Sequence, residues 1–310
     1  MTKQAILVIV GPTAVGKTQL SLELAQELTG EIVSADSMQV YRGMNIGTAK
    51  PTTAEQQLVP HHLIDIRDPD QLFNAADFVS LAELAIKDIA SRGKVPIVSG
   101  GTGLYIDALV DGFLFPDSKA DPKLRRELRI RASKEPEALY KELERVDPQS
   151  AKRLHPNDLR RIVRALEVYY RTGEPISALQ QKAAQAEKPY DPLFIGLTRN
   201  RPELYERINQ RVDQMLTQGL VEEVKQLIEH YPHQPTALQA LGYKEIVWYL
   251  KGNMSLEEAV EILKRDTRRY AKRQLSWFRR NTRIHWFNLS HEDLETVKAK
   301  VIGLWKGTHN

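Results

Sequence analysis

Apolar residues run unbroken through "AILVIV" at residues 5–10, and four of the six are β-branched. Such a run predicts a strand buried on both faces, as in a parallel sheet covered by helices. "TQLSLELAQEL" follows with leucines at 20, 24 and 28, the spacing of one helix face. "GEIVSAD" reads as a second strand and "HHLIDI" as a third, then "NAADFVSLAELAIKDIASRGK" as an amphipathic helix and "VPIVSGG" as the next strand. Strand and helix alternate, which predicts a parallel α/β sheet with ligands at the carboxyl ends of its strands.

The texture changes near Asp117. Residues 113–192 are strongly charged and carry helical periods without strand patterns, so they are expected to form an all-helical insertion. "PLFIGLT" at 192–198 returns the chain to the sheet, giving a core of residues 1–112 and 193–310. Ser255 and Glu258 make a capping box for a helix running to about Asn281, and "RIHWFNL" reads as a late edge strand.

Between the first strand and first helix lies "GPTAVGKT", which fits the phosphate-loop pattern from Gly11 through Pro12, Thr13, Ala14, Val15, Gly16, Lys17 and Thr18. Backbone N–H groups, a helix N-terminus and a lysine converge there on a phosphate, without specifying the rest of the ligand. ATP is the usual ligand. A kinase or ATPase normally adds an aspartate closing an apolar strand to help hold Mg²⁺. Here "VPIVSGG" leads into Ser99, Gly100, Gly101 and Thr102, with no acid. The acid at a strand end is Asp36, which serves either as a general base, or as a cap for the next turn or a group that helps to hold the metal.

Composition adds three limits. Hydrophobic residues make up 42% of 310, enough for a packed core, and the N-terminal apolar run is too short for a signal or membrane span. There is no cysteine, which removes disulfides, thiolate metal sites and a cysteine nucleophile, and points to the cytoplasm. A net charge of +4 favours an anionic partner. Arginines concentrate in "KLRRELRIR" and "NDLRRIVRALEVYYR" of the insertion and in "RDTRRYAKRQLSWFRRNTR", where Tyr270, Trp277 and Phe278 are expected to pack as core. His61 and His62 lack partners at metal spacing and are expected to be structural.

"GPTAVGKT", "SADSMQVYRGMNIGTAKP", "HHLIDIRDP", "AADF", "VSGGTGLY", "ADPKLR" and "HPNDLRRIVRALEVYYRTG" together resemble the bacterial tRNA dimethylallyltransferases, in order and with compatible spacing. The resemblance implies a P-loop nucleoside-triphosphate-hydrolase-like core with a helical tRNA-binding insertion. It implies that dimethylallyl diphosphate occupies the loop and that N6 of adenosine 37, in tRNAs reading codons that begin with U, accepts the dimethylallyl group. By the same resemblance Asp36 is the base, Thr102 contacts the bridging oxygen, and Lys17 and Arg211 bear on the diphosphate. Mg²⁺ is the implied cofactor, with Thr18 as its assigned protein ligand. Asp36, Ser37, Met38, Gln39 and Thr102 are carried over as contacts to the tRNA anticodon stem-loop. Arg125, the stretch Arg160, Arg161, Ile162, Val163 and Arg164, and Gly242, Tyr243 and Lys244 are carried over likewise. A cytoplasmic monomer is expected. A transferase acting on free AMP, and a nucleotide or metabolite kinase, are the alternatives. The basic insertion opposes the first and the missing strand-end acid the second.

Overall fold

The computed structural model describes residues 3–112, 121–232 and 237–309. The chain forms two compact units, Met1–Val110 with Pro189–Asn310, and Asp111–Lys188. The expected start of the insertion, residue 113, lies outside the described residues.

In the first unit, β1 (Gln4–Val10) leads through the phosphate loop into α1 (Lys17–Glu27) and β2 (Gly30–Ser34). A long irregular loop reaches α2 (Thr53–Leu58) and β3 (His61–His62), followed by α3 (Ala75–Ser91), β4 (Val95–Gly100) and α4 (Gly103–Asp111). All strands pair in parallel, in the order β3-β2-β4-β1-β5-β6, where β5 is Tyr190–Thr198 and β6 is His285–Asn288. Ile6 through Val10 are wholly buried, which is why this strand reads as a continuous apolar run. Each such side chain contributes roughly 1.5–3 kcal/mol of transfer free energy on burial. The strand order reverses at β1, with β4, β2 and β3 to one side and β5 and β6 to the other. The resulting crevice opens at the carboxyl end of β1, where the loop begins.

Two sequence expectations shift. "HHLIDI" supplies only a two-residue strand, because Leu63 and Asp65 turn into the left-handed region at φ 64° and 54°. The return to the sheet comes at Tyr190, two residues early, since Gln4 to Val10 pair with β5 from Tyr190 onward.

The insertion packs α5 (Pro122–Lys134), α6 (Pro136–Val146), α7 (Pro148–Ala151), α8 (Leu159–Thr172) and α9 (Ile176–Gln185) around Leu128, Leu139, Leu143, Ile162 and Leu166. Buried Asp147 ties α7 to α9 by accepting hydrogen bonds from the amides and hydroxyls of Ser150 and Ser177. Those four donors hold its carboxyl below the usual range against the opposing effect of burial. The first unit is completed by α10 (Arg201–Thr217), α11 (Leu220–His230), a 3-10 turn at Ala237–Gln239, α12 (Tyr243–Leu250), α13 (Leu256–Phe278) and α14 (Leu294–His309). The Ser255–Glu258 capping box forms, and α13 stops at Phe278, three residues before the expected end.

Candidate functional site

Gly16 caps α1 at φ 119°, a conformation that strains residues with a Cβ. It has no side chain to cap the helix, so the first amides of α1 remain open to an anion. Lys17 folds back, its Nζ donating to the carbonyls of Gly11 at 3.0 Å and Pro12 at 2.8 Å. Surrounding protein and the neighbouring Arg211 guanidinium lower its pKa to about 7, while Asp36 opposes the shift. Arg211, on α10, reaches Thr13 Oγ1 at 3.4 Å. Neither cation makes an ion pair among the described residues.

Residues distant in sequence hold the loop. Gln274, on α13, accepts from Thr13 N at 2.9 Å and donates from Nε2 to the carbonyl of Gly101 at 3.0 Å. Arg207 donates to the carbonyl of Ala14 and Arg199 to that of Val15, both at 3.0 Å. Sequence reading missed all three, because nothing in their local pattern separates them from ordinary polar helix and loop positions.

At the end of β4, where a metal-holding acid is absent, Ser99 Oγ shares a 2.7 Å hydrogen bond with Ser21 Oγ. Thr102 Oγ1 accepts from Ser37 N at 3.1 Å and so joins this strand end to the loop after β2. Asp36 begins that loop. Its Oδ1 accepts from Met38 N at 2.9 Å and Gln39 N at 3.4 Å, while Oδ2 has no hydrogen bond among the described residues. The aspartate therefore caps a turn with one oxygen and leaves the other available. Gln39 is internally committed: Nε2 donates to the carbonyls of Thr48 and Ala49 at 3.3 Å, and Oε1 accepts from Ser34 Oγ.

These groups line one cavity of about 610 Å³ in the first unit. Lys17, Thr18, Asp36, Ser37, Met38, Gln39, Arg211, Gly242 and Lys244 face it, and Thr102 lies one residue beyond its lining. Ile208, Val212, Met215, Leu241 and Leu263 give it an apolar wall. Tyr270 lines it too, rather than packing as core; burial and the Asp36 charge raise its phenol to about 12. Phe278 is buried as expected, and Trp277 donates to Asp107. Tyr243 is fully buried with its hydroxyl on Glu223, so it presents no surface to RNA. His62 pairs with Glu31, whereas His61 borders the cavity and hydrogen-bonds through Nδ1 to the carbonyl of Val59.

In the insertion, Arg160 and Arg161 are exposed. Ile162 and Val163 are core residues and offer no side chain to a ligand. Arg125 and Arg164 both bind the carboxylate of Glu167, which is wholly buried. Among the described residues of the chain, no helix is long and apolar enough to cross a membrane.

Residues 39–281 match the IPP transferase family. The chain belongs to that family. The match starts just past the phosphate loop and Asp36, but full-length relatives run across both. The tRNA dimethylallyltransferase of Alkaliphilus oremlandii is 51% identical over 311 residues, covering 99% of each chain. That of Halothermothrix orenii is 50% identical over 298 residues, covering 96% of this chain and 91% of the relative. Among solved structures, the tRNA isopentenylpyrophosphate transferase of Bacillus halodurans is 46% identical with a TM-score of 0.75, covering 98% of this chain and 96% of that one. A eukaryotic dimethylallyltransferase acting on tRNA is 33% identical with a TM-score of 0.84, covering 99% of this chain and 80% of that one.

Proposed function

We propose that this member of the family transfers the dimethylallyl group from dimethylallyl diphosphate to N6 of adenosine 37 in tRNAs reading codons that begin with U, releasing diphosphate. The observation that carries the reading is the cavity itself: Lys17 and Arg211, outside any ion pair among the described residues, share one space with an apolar wall and an open carboxylate oxygen.

The open amides of α1, Lys17 and Arg211 bind the diphosphate, and the apolar wall formed by Ile208, Val212, Met215 and Leu263 receives the dimethylallyl chain. The bond from allylic carbon to bridging oxygen breaks with its electron pair leaving on diphosphate, where donors placed for developing charge lower the barrier. Thr102, next to the loop, contacts that oxygen. N6 of adenine forms the new bond to carbon and surrenders a proton to Oδ2 of Asp36, which matters because its lone pair is delocalised into the ring. Adenosine 37 leaves its stack to reach the cavity. Ser37 and Met38 line its path. Arg160 and Arg161 meet RNA phosphates on the insertion.

Among the described residues there is no cluster of three or more His, Asp or Glu side chains to hold a metal. The Thr18 hydroxyl, which lines the cavity beside Lys17, would hold Mg²⁺ against the bound diphosphate. When bound it supplies positive charge to the leaving group. The absence of cysteine and the tRNA acceptor suit the cytoplasm.

The decisive assay combines the protein, Mg²⁺, unmodified tRNA and labelled dimethylallyl diphosphate or labelled ATP. Prenyl label in tRNA at adenosine 37 is expected. Label in free AMP but not in tRNA would favour the mononucleotide transferase, and phosphoryl transfer without prenylation would overturn the reading.

A further inference from the structure

The loop from Ala35 to Lys50 contains no helix or strand long enough to satisfy its own backbone, so its amides need partners elsewhere. Glu223, on α11, supplies them. Its Oε2 accepts from Asn45 N at 2.9 Å and Ile46 N at 2.8 Å; its Oε1 accepts from Gly47 N at 3.1 Å and from the Tyr243 hydroxyl at 2.7 Å. Three successive amides thus converge on one buried carboxylate, an arrangement that elsewhere captures a free anion. The fit is close: a Cβ on Gly47 would stand 2.5 Å from Tyr243 Cε2. On the other side of the loop, the Lys50 ammonium donates to the carbonyl of Tyr41 and to Asn45 Oδ1.

From this clasp the contacts run toward the cavity. Thr48 and Ala49, the next residues, offer the carbonyls that hold Gln39 Nε2, and the backbone N–H of Gln39 in turn donates to Asp36 Oδ1. None of these contacts touches the phosphate loop. We infer that Glu223 is a positioning residue for the acceptor half of the reaction: it fixes the loop that sets Asp36 and Gln39, while the donor half is held independently. The inference rests on the proposal that adenosine meets Asp36.

Glu223→Gln conserves volume but replaces one accepting oxygen with an NH₂ that cannot accept, so either the Asn45 and Ile46 amides or the Gly47 amide loses its partner. In single-turnover prenylation, the tRNA concentration for half-maximal rate should rise by about tenfold or more, with a Kd for inorganic diphosphate within about twofold of wild type. Hydrogen exchange should quicken at Asn45, Ile46 and Gly47 and stay unchanged at Thr13 to Thr18. Tyr243→Phe keeps all three amide bonds and should shift the tRNA dependence by less than about threefold. Gly47→Ala presses the loop off Tyr243 without altering the carboxylate, and should reproduce the Glu223→Gln pattern if that variant folds poorly.

Equal losses of tRNA and diphosphate affinity in a folded Glu223→Gln would overturn the inference, as would unaltered tRNA kinetics. Wild-type protein that prenylates no tRNA would defeat the acceptor reading itself and this inference with it. That failure is distinguishable because it appears before any substitution is made.

Discussion

The phosphate-loop cavity and the helical insertion use the same residue types in opposite states. In the cavity, among the described residues, Lys17 and Arg211 donate hydrogen bonds only to carbonyl and hydroxyl oxygens, and Asp36 keeps one carboxylate oxygen without a hydrogen bond. In the insertion, Arg125 and Arg164 close on Glu167, whose two oxygens are both engaged and which is wholly buried. Charge left unneutralised in a partly dehydrated cavity is poised for ligand chemistry. Charge neutralised against a buried partner maintains the fold. A motif that names arginines cannot distinguish the two, because the difference lies in which acid each one meets.

The sharpest way to break the comparison is Asp36→Asn. The amide oxygen can still accept from Met38 and Gln39, so the turn survives, but the other position can no longer take a proton. Single-turnover prenylation with enzyme in excess should fall by about 10²- to 10⁴-fold, with binding of both substrates retained. A loss under about tenfold would show that the open oxygen has no part in proton transfer.

The converse change is Arg125→Ala with Arg164→Ala, which leaves Glu167 buried and unpaired. The insertion should lose about 2–3 kcal/mol of stability, less than a fully buried pair would cost because both guanidiniums are a third exposed. Chemical denaturation reads this directly. Unchanged stability together with weakened tRNA binding would return these arginines to the RNA surface.

A smaller effect comes from pH. The folded-state pKa of Lys17, about 7, lies below its ordinary 10.5. Between those values the unfolded chain holds a proton that the folded chain lacks, so this group makes folding more favourable as pH rises through that window. Diphosphate favours the charged lysine. Its binding therefore takes up a proton, and affinity should fall above about pH 7, by at most about tenfold per pH unit. Arg211 and Asp36 face the same ammonium, but arginine does not titrate here. Titration calorimetry with inorganic diphosphate tests this, and Lys17→Arg should flatten the profile.

The least effect belongs to Arg160→Ala, an exposed cation outside any ion pair among the described residues. Stability should stay within about 0.5 kcal/mol, while the salt dependence of tRNA binding loses roughly 0.7–0.9 from its log–log slope. An unaltered slope would make this arginine a solvated bystander.

Sequence alone determined the parts of this protein that depend on near neighbours. The buried run from Ile6 to Val10, the glycine-framed loop opening α1 and the Ser255–Glu258 cap are all consequences of backbone geometry within a few residues. The alternation of strand and helix followed from the same local periods, and with it the parallel sheet and the carboxyl-end position of the loop. Tertiary structure decided what joins those parts. Gln274 meets Thr13 across 261 residues, and Glu223 meets Gly47 across 176. It also made Ile162 core and Arg160 surface within one basic stretch, and brought Tyr270 to the cavity wall. A polar side chain acquires its role from the unsatisfied group that burial leaves beside it, and no local pattern carries the identity of that group.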